Sequence, residues 1–311
     1  MRLAGGPRFD TPVIPGGYAW WYIDAISDDG QFGLTIIAFV GSVFSTYYAL
    51  SGRGSPENHV AMNVALYGPG TNRWAMTERR ADRLTRAQDR IQIGPSEMVW
   101  EGDTLTIRFD EICAPIPRRV KGVVRVHPQA LAMHCFALDA VGHHRWTPVA
   151  THARIEVELD DPNLSWKGAG YFDSNAGDRP LEEGFTHWNW SRAHLARETV
   201  VLYEGARRDG SDFALALSFD EKGGAEAITP PPVVALPKTG WRVDRATRAD
   251  PGTKVIIRKS WEDAPFYSRT ALSTTLFGEQ VSAVHESLSL DRLRSPVVRF
   301  MLPFRMPRVF W

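Results

Sequence analysis

Residues 103–112, DTLTIRFDEI, alternate between apolar and polar side chains. Leu105, Ile107 and Phe109 share one face of an extended strand, and the polar residues between them share the other. Similar short runs lie elsewhere in the chain: YAWWYIDAI (18–26), QFGLTIIAFV (31–40), NHVAMNVALYG (58–68), RIQIG (90–94) and VKGVVRV (120–126). The 311 residues include 11 Trp, 8 Tyr and 15 Phe, which favour pleated surfaces, and 26 Gly and 21 Pro, which interrupt helices. The sequence therefore predicts an all-β fold.

A turn-rich segment, residues 160–184 (DDPNLSWKGAGYFDSNAGDRPLEEG), separates two groups of predicted strands. It has little periodicity, which is typical of a connection between domains. Beyond it, residues 198–219 read as a hairpin around Asp209-Gly210. We therefore predict an N-terminal β-domain over residues 1–165 and a C-terminal β-domain over residues 166–311.

Composition argues against several classes of partner and environment. The 36 Lys and Arg residues balance the 36 Asp and Glu residues, so the chain lacks the positive field that nucleic-acid binders use. Cys113 and Cys135 are too few for a disulfide framework, and we predict that both are reduced. The N-terminal segment lacks the apolar run of a secretory signal, so we expect the protein to act inside the cell.

One uncharged stretch, residues 31–52, is about as long as the ~20 residues that span a bilayer. Glycine, serine, threonine and tyrosine interrupt its apolar residues, and β-branched and aromatic types are frequent. This composition favours two buried strands joined near Gly41-Ser42 over a transmembrane helix.

Five of the nine histidines lie between His127 and His152, which raises the question of a metal site. His143 and His144 are adjacent and would face opposite sides of a strand, and no HExxH or CxxC motif completes a ligand set. A phosphate-binding loop and a GxGxxG turn are missing too. We therefore predict that the protein needs neither a metal nor a cofactor.

Two pairs of residues spaced i, i+2 carry the strongest candidate chemistry. His144 and Trp146 form one pair, and Tyr171 and Asp173 form the other. On an extended chain this spacing puts both members on one face, so the pairs supply an acid, a base and an aromatic wall. Four other tryptophans are predicted to line a substrate pocket, with burial in the core as the alternative: Trp20, Trp21, Trp188 and Trp190.

Over most of its length the chain resembles the acyclic carotenoid 1,2-hydratases of photosynthetic bacteria. The resemblance is carried by these segments: PGGYAWWYIDAISDDG (15–30), FGLTIIAFVGSVFSTYY (32–48), NHVAMNVALYG (58–68), HRW (144–146), GYFDSN (170–175) and HWNWSR (187–192). Such a long set is far more specific than any single motif. The wider superfamily, which includes lipocalin-like Diels–Alderases, implies two antiparallel β-barrel domains of lipocalin type with the substrate pocket near their junction.

The resemblance also implies an activity, which is cofactor-free addition of water to the terminal C1=C2 double bond of an acyclic carotene such as neurosporene or lycopene. The family's functional residues fall on His144, Trp146, Tyr171 and Asp173. On chemical grounds we expect Asp173, with its pKa raised by an apolar surrounding, to protonate the alkene. The two aromatic faces would stabilise the tertiary cation, and neutral His144 would take the proton from water. Asp173 and His144 could exchange these roles.

Two other functions stay open at this point. A lipocalin-like carrier would bind carotenoid without turnover, and a pericyclase or isomerase could use the same fold. A membrane surface is a further expected partner, because acyclic carotenes reside in the bilayer. In the C-terminal tail, residues 299–311, Pro303 and Pro307 argue against a regular helix. The tail interleaves arginines with aromatic residues. This pattern suggests either a strand packed on the barrel or peripheral contact with the cytoplasmic side of the inner membrane.

Overall fold

The computed structural model describes residues 6–132 and 134–309. The first residues of the N-terminal segment, and Phe310 and Trp311 of the tail, therefore lie outside the described residues. The chain forms two compact units. One comprises the chain up to Pro180 together with the C-terminal segment from Phe300, and the other is Leu181–Arg299.

The first unit is built from twelve antiparallel strands. They are β1 (Tyr18–Ser27), β2 (Gly33–Val40), β3 (Val60–Tyr67), β4 (Arg73–Arg79), β5 (Leu84–Arg86), β6 (Arg90–Ile93), β7 (Ser96–Glu101), β8 (Thr104–Ile112), β9 (Arg119–Pro128), β10 (Phe136–Ala137), β11 (His144–Asp161) and β12 (Leu164–Gly177). A short helix, α1 (Thr46–Leu50), and two 3-10 turns, Pro56–Asn58 and Ala81–Arg83, connect some of them.

These strands form one nearly closed antiparallel barrel sheet, in which eleven follow the order β4-β3-β2-β1-β12-β11-β9-β8-β7-β6-β5 and β10 pairs with β11 beside this path. Its inner face holds a continuous apolar cluster, to which β1 contributes Trp21 and Ile23, β8 contributes Leu105 and Ile107, and β12 contributes Phe172. The alternating residues of β8 therefore have their core face where the pattern predicts it. The all-β prediction is confirmed.

The second unit carries a seven-stranded antiparallel sheet and a two-stranded sheet. Their strands are β13 (Phe185–His194), β14 (Glu198–Arg207), β15 (Asp212–Asp220), β16 (Ala225–Ala227), β17 (Val233–Leu236), β18 (Arg245–Arg248), β19 (Ile256–Asp263), β20 (Tyr267–Leu276) and β21 (Glu279–Ser289). The larger sheet has the order β16-β15-β14-β13-β21-β20-β19, and β17 pairs with β18. The hairpin predicted around Asp209-Gly210 joins β14 to β15.

The boundary between the units differs from the predicted division at residues 165/166, which falls inside β12. That strand pairs with β1 on one side and with β11 on the other, so it belongs to the first sheet. Its glycines, which suggest a loop in the sequence, serve close strand contact instead. A Cβ on Gly168 would lie 2.0 Å from the carbonyl oxygen of Ile26.

Two further expectations differ from the structure. Residues 31–52 form one strand, β2, followed by α1, where the sequence predicts two strands. No helix among the described residues is long and apolar enough to cross a membrane. The C-terminal tail is helical, although its prolines argue against a helix. After α2 (Leu181–Gly184) and α3 (Leu290–Arg294), helix α4 spans Pro296–Arg305 with Pro303 inside its last turn. Val298 and Leu302 are buried on one face of α4, and this burial offsets the backbone hydrogen bond that Pro303 lacks.

Candidate active site

The candidate site lies on the face of the first sheet that is opposite the barrel core. Directly paired residues of antiparallel strands share a face. Asp173 of β12 is paired with Tyr22 of β1 and with Pro148 of β11, whereas its neighbour Phe172 points into the core. We call this surface, which carries Tyr171, Asp173 and Asn175 of β12, the site face.

Asp173 accepts two hydrogen bonds on one carboxylate oxygen. The indole Nε1 of Trp146 donates to Oδ2 at 2.7 Å, and the phenol of Tyr171 donates to the same oxygen at 2.8 Å. All three side chains are buried, with Asp173 only 4% exposed. The structure thus brings together three of the four predicted catalytic residues, and it gives Trp146 a role as a hydrogen-bond donor that the sequence does not reveal.

Tyr171 stays a donor over the whole working pH range. Burial, followed by the negative charge of Asp173, raises the pKa of its phenol well above the usual value of about 10. Asp24, which is fully buried and paired with Tyr171 across β1 and β12, contributes in the same direction. The phenolic proton is therefore retained and keeps pointing at Asp173.

His144 lies on the same face but nearer the end of the strands. Its Nδ1 is 2.9 Å from the hydroxyl of Tyr18, and the two rings stack with centroids 5.9 Å apart. The backbone N–H of His144 donates to Oδ2 of Asp139 at 2.7 Å, which fixes the start of β11. Burial lowers the pKa of His144 to about 4, so the imidazole is neutral at pH 7.

Strand register determines how far His144 lies from Asp173. His144 is paired with Gly177, and Pro148 with Asp173, so the two candidate residues are separated by four positions along β12. At about 3.3 Å per residue their backbones lie about 13 Å apart. This spacing leaves room for a small molecule between the carboxyl group and the imidazole.

The four predicted wall tryptophans occupy three different environments. Trp20 lies on the site face, where its ring stacks on Tyr18 with centroids 5.0 Å apart. Trp21 points the other way, into the barrel core beside Phe9. Trp188 and Trp190 are buried on β13 of the second unit.

Several residues of the site face were not singled out in the sequence. Tyr18, Tyr22 and Asp24 alternate with core residues along β1, and Asn175 follows Asp173 by two positions on β12. The i, i+2 spacing that identified Tyr171 and Asp173 extends to all of them, so the same rule applied to the neighbouring positions finds them.

The described residues contain no group of three or more His, Cys, Asp or Glu side chains placed to hold a metal ion. The prediction that catalysis needs no metal or cofactor stays a prediction.

The fold is a lipocalin-like β-barrel. One of its faces carries a buried carboxylate with two hydrogen-bond donors, a neutral imidazole and several aromatic side chains. This combination is typical of proteins that bind a small molecule or act on it by acid–base chemistry. The particular family follows from sequence. The family profile described as "Carotenoid hydratase CrtC" matches residues 36–310, and the chain belongs to this family.

Individual relatives agree with the family assignment. An acyclic carotenoid 1,2-hydratase of Thiocapsa roseopersicina is 52% identical over 98% of this chain and 76% of its own length. The enzyme of the same name from Rubrivivax gelatinosus is 50% identical, with the same coverage of both chains. A crystal structure of a protein assigned as AttH, from Nitrosomonas europaea, superposes with a TM-score of 0.61 at 15% identity, covering 93% of this chain and all of that one. This structural likeness shows the shared fold.

Proposed function

We propose that the cluster around Asp173 is the active site at which this hydro-lyase adds water to the terminal C1=C2 double bond of an acyclic carotene such as lycopene or neurosporene. The product is a tertiary 1-hydroxy carotenoid. The observation that carries the proposal is the convergence of Trp146 and Tyr171 on one oxygen of a buried carboxylate, with neutral His144 on the same face.

The first step is proton transfer from Asp173 to C2. Because Oδ2 already accepts from Trp146 and Tyr171, the proton to be transferred is carried on Oδ1. The alkene π electrons bond to this proton, and positive charge develops at C1, which bears two methyl groups. The carboxylate that remains is stabilised by the two donors, which are already in place before the reaction.

Aromatic groups stabilise the resulting cation. Trp146 and Tyr171 border Asp173, and Trp20 faces the same side of the sheet. An aromatic face contributes about 2 kcal/mol to a desolvated cation, which corresponds to roughly 30-fold in rate. Because the bordering side chains are buried, the cation forms away from bulk water, and the number of competing nucleophiles is small.

Water then attacks C1 and loses a proton to His144, and the cycle closes when His144 releases this proton to solvent and Asp173 takes one up. The step uses the tautomer in which Nδ1–H donates to the hydroxyl oxygen of Tyr18, so that the ring accepts this proton on Nε2. Burial keeps the imidazole neutral before the reaction, so it is ready to act as a base at pH 7. The distance of about 13 Å between the backbones of Asp173 and His144 suits a base that acts through the attacking water.

The test of the function is incubation of the purified protein with lycopene in detergent micelles. We expect a product that is heavier by one water molecule. Binding of lycopene without any product would favour the carrier, and an isomer of unchanged mass would favour an isomerase.

The titration of His144 provides a prediction about pH. In the unfolded chain its pKa is about 6.5, whereas burial lowers it to about 4 in the folded protein. The neutral side chain therefore contributes stability that is fully present above about pH 6.5 and is lost as the pH falls through about 4. We expect an NMR titration of labelled histidine to give a midpoint near 4 for His144, identified by its loss in His144→Ala. A midpoint near 6.5 would contradict its burial as a neutral base.

We also propose that the protein meets its substrate at the cytoplasmic surface of the inner membrane of a photosynthetic bacterium, during carotenoid biosynthesis. The apolar carotene resides in the bilayer, and α4 offers a suitable contact. Four large apolar side chains, at positions i, i+3, i+4 and i+7 of one helix face, are exposed: Val297, Phe300, Met301 and Phe304. Such a stripe is typical of helices that lie in the membrane interface.

The arginines of the tail have partners within the protein. Arg299 pairs with Glu182 at 3.2 Å, Arg305 lies over the ring of Trp74 at 4.3 Å, and partly buried Arg308 pairs with Glu78. The interface contact is therefore expected to depend on the apolar stripe more than on these charges, and to be only weakly sensitive to salt.

Replacing Phe300 and Phe304 together with serine should weaken binding to vesicles at least about tenfold, because two exposed aromatic side chains no longer enter the interface. Vesicle co-sedimentation measures the effect. Leu50→Ser is the matched control, because Leu50 is exposed but lies outside α4. Equal sedimentation of the folded double variant and the wild type would rule out this contact.

A further inference from the structure

Asn175 occupies the middle of the site face. It lies two residues after Asp173 on β12 and two before Gly177, the register partner of His144. At about 3.3 Å per residue, its backbone is about 7 Å from each of these positions. Trp20 on β1 and Trp146 on β11 are its directly paired neighbours, so an indole lies on each side of it.

The side-chain amide of Asn175 has an unmet hydrogen bond. The residue is 4% exposed, and its Nδ2 is buried with no hydrogen-bond partner among the residues that the structure describes. Buried amide groups in proteins nearly always find a partner, which is ordered water or a ligand where no protein group is in reach. The donor Nδ2 of Asn175 lies between two indoles, on the face that we propose to bind a hydrocarbon. Because none of the described residues satisfies this donor, it indicates a site for a water molecule.

We infer that Asn175 binds the water molecule that attacks C1. This inference rests on the proposed hydration reaction. The amide N–H of Asn175 donates to one lone pair of the water oxygen, which leaves the second lone pair to bond to C1. One O–H bond of the water breaks as its proton passes to Nε2 of His144, and the oxygen stays on C1 as the tertiary hydroxyl. A neutral donor suits this task because it holds the water without forming a bond to the cation.

The two halves of the reaction then depend on different residues. Asp173 forms the cation, whereas Asn175 supplies its nucleophile. If the water is lost but the acid remains, the cation returns its proton. The C–H bond at C2 or at a terminal methyl breaks, its electrons re-form an alkene, and the carboxylate of Asp173 takes the proton. In deuterated water, this futile cycle places deuterium in the recovered carotene.

The test is Asn175→Leu, which nearly preserves the side-chain volume and removes the amide, assayed with lycopene micelles in deuterated water. We expect hydration to fall at least about tenfold, while the recovered carotene gains deuterium. Asn175→Ser, which leaves room for a water molecule and offers a hydroxyl, should restore part of the hydration.

Other outcomes overturn the inference. Hydration near the wild-type rate in Asn175→Leu would show that the amide holds no essential water. Equal loss of hydration and of deuterium exchange, in a variant that still unfolds cooperatively near the wild-type temperature, would assign Asn175 to the structure of the site rather than to the nucleophile. Wild-type protein that neither hydrates nor exchanges lycopene would refute the proposed function itself, and the two failures are thus distinguishable.

Discussion

Replacing Asp173 with asparagine is expected to lower the turnover of lycopene at least about 10²-fold, the lower end of what general acids contribute. The amide retains an oxygen that can accept from Trp146 and Tyr171, so the local hydrogen bonds persist. It has no proton acidic enough to protonate an alkene. The measurement is kcat in micelles, together with carotene binding by quenching of tryptophan fluorescence, which should remain.

A matched control separates acid catalysis from a general loss of a carboxylate. Asp178→Asn removes a partly exposed carboxylate that pairs with His143 at 2.7 Å, and it should leave turnover within about twofold of the wild type because surface ion pairs contribute little. Turnover of Asp173→Asn close to the wild-type value would contradict the assignment of Asp173 as the acid.

His144→Ala should produce a loss of similar size, at least about 10²-fold. The change removes the imidazole whose Nδ1 lies 2.9 Å from the hydroxyl of Tyr18, and it leaves the attacking water without a neutral base to accept its proton. Steady-state kinetics should show the loss in kcat more than in KM, because the base acts after the carotene has bound.

His143→Ala provides the comparison for this variant. The two histidines are adjacent, but His143 pairs with Asp178 and is less buried than His144. We expect His143→Ala to keep most of its activity. Equal losses in the two variants would mean that the segment, rather than the imidazole of His144, is required.

Much of the fold was predictable because strand periodicity depends on neighbouring residues alone. The alternation of Leu105, Ile107 and Phe109 identifies a core face correctly. The turn residues Asp209-Gly210 likewise predict the hairpin that joins β14 to β15. The extent of β12 was not predictable in the same way. Its glycines resemble those of a loop, and only the neighbouring strand explains why Gly168 has no side chain.

The sequence could group the members of the candidate site, whose role stays a prediction, but it could not give their contacts. The i, i+2 rule placed Tyr171 with Asp173 and His144 with Trp146. The hydrogen bond from Trp146 to Asp173 depends on the register between β11 and β12, which includes shifts near Pro148 and cannot be read from either strand alone. For adjacent Trp20 and Trp21, the sequence did not decide which one faces the site.

The C-terminal tail shows how packing overrides a local preference. Pro303 disfavours a helix interior, yet α4 continues past it. The helix buries Val298 and Leu302 at a spacing of four residues, a pattern that was present in the sequence but was outweighed there by the prolines.

The central claim is that the protein adds the elements of water to a carotene. Its most direct test is to incubate the protein with lycopene micelles in oxygen-18-labelled water and to analyse the product by mass spectrometry. We predict a tertiary alcohol that carries the heavy oxygen, formed by the wild type and greatly reduced in Asp173→Asn. A product without solvent oxygen, or bound lycopene recovered unchanged from the wild type, would contradict the account.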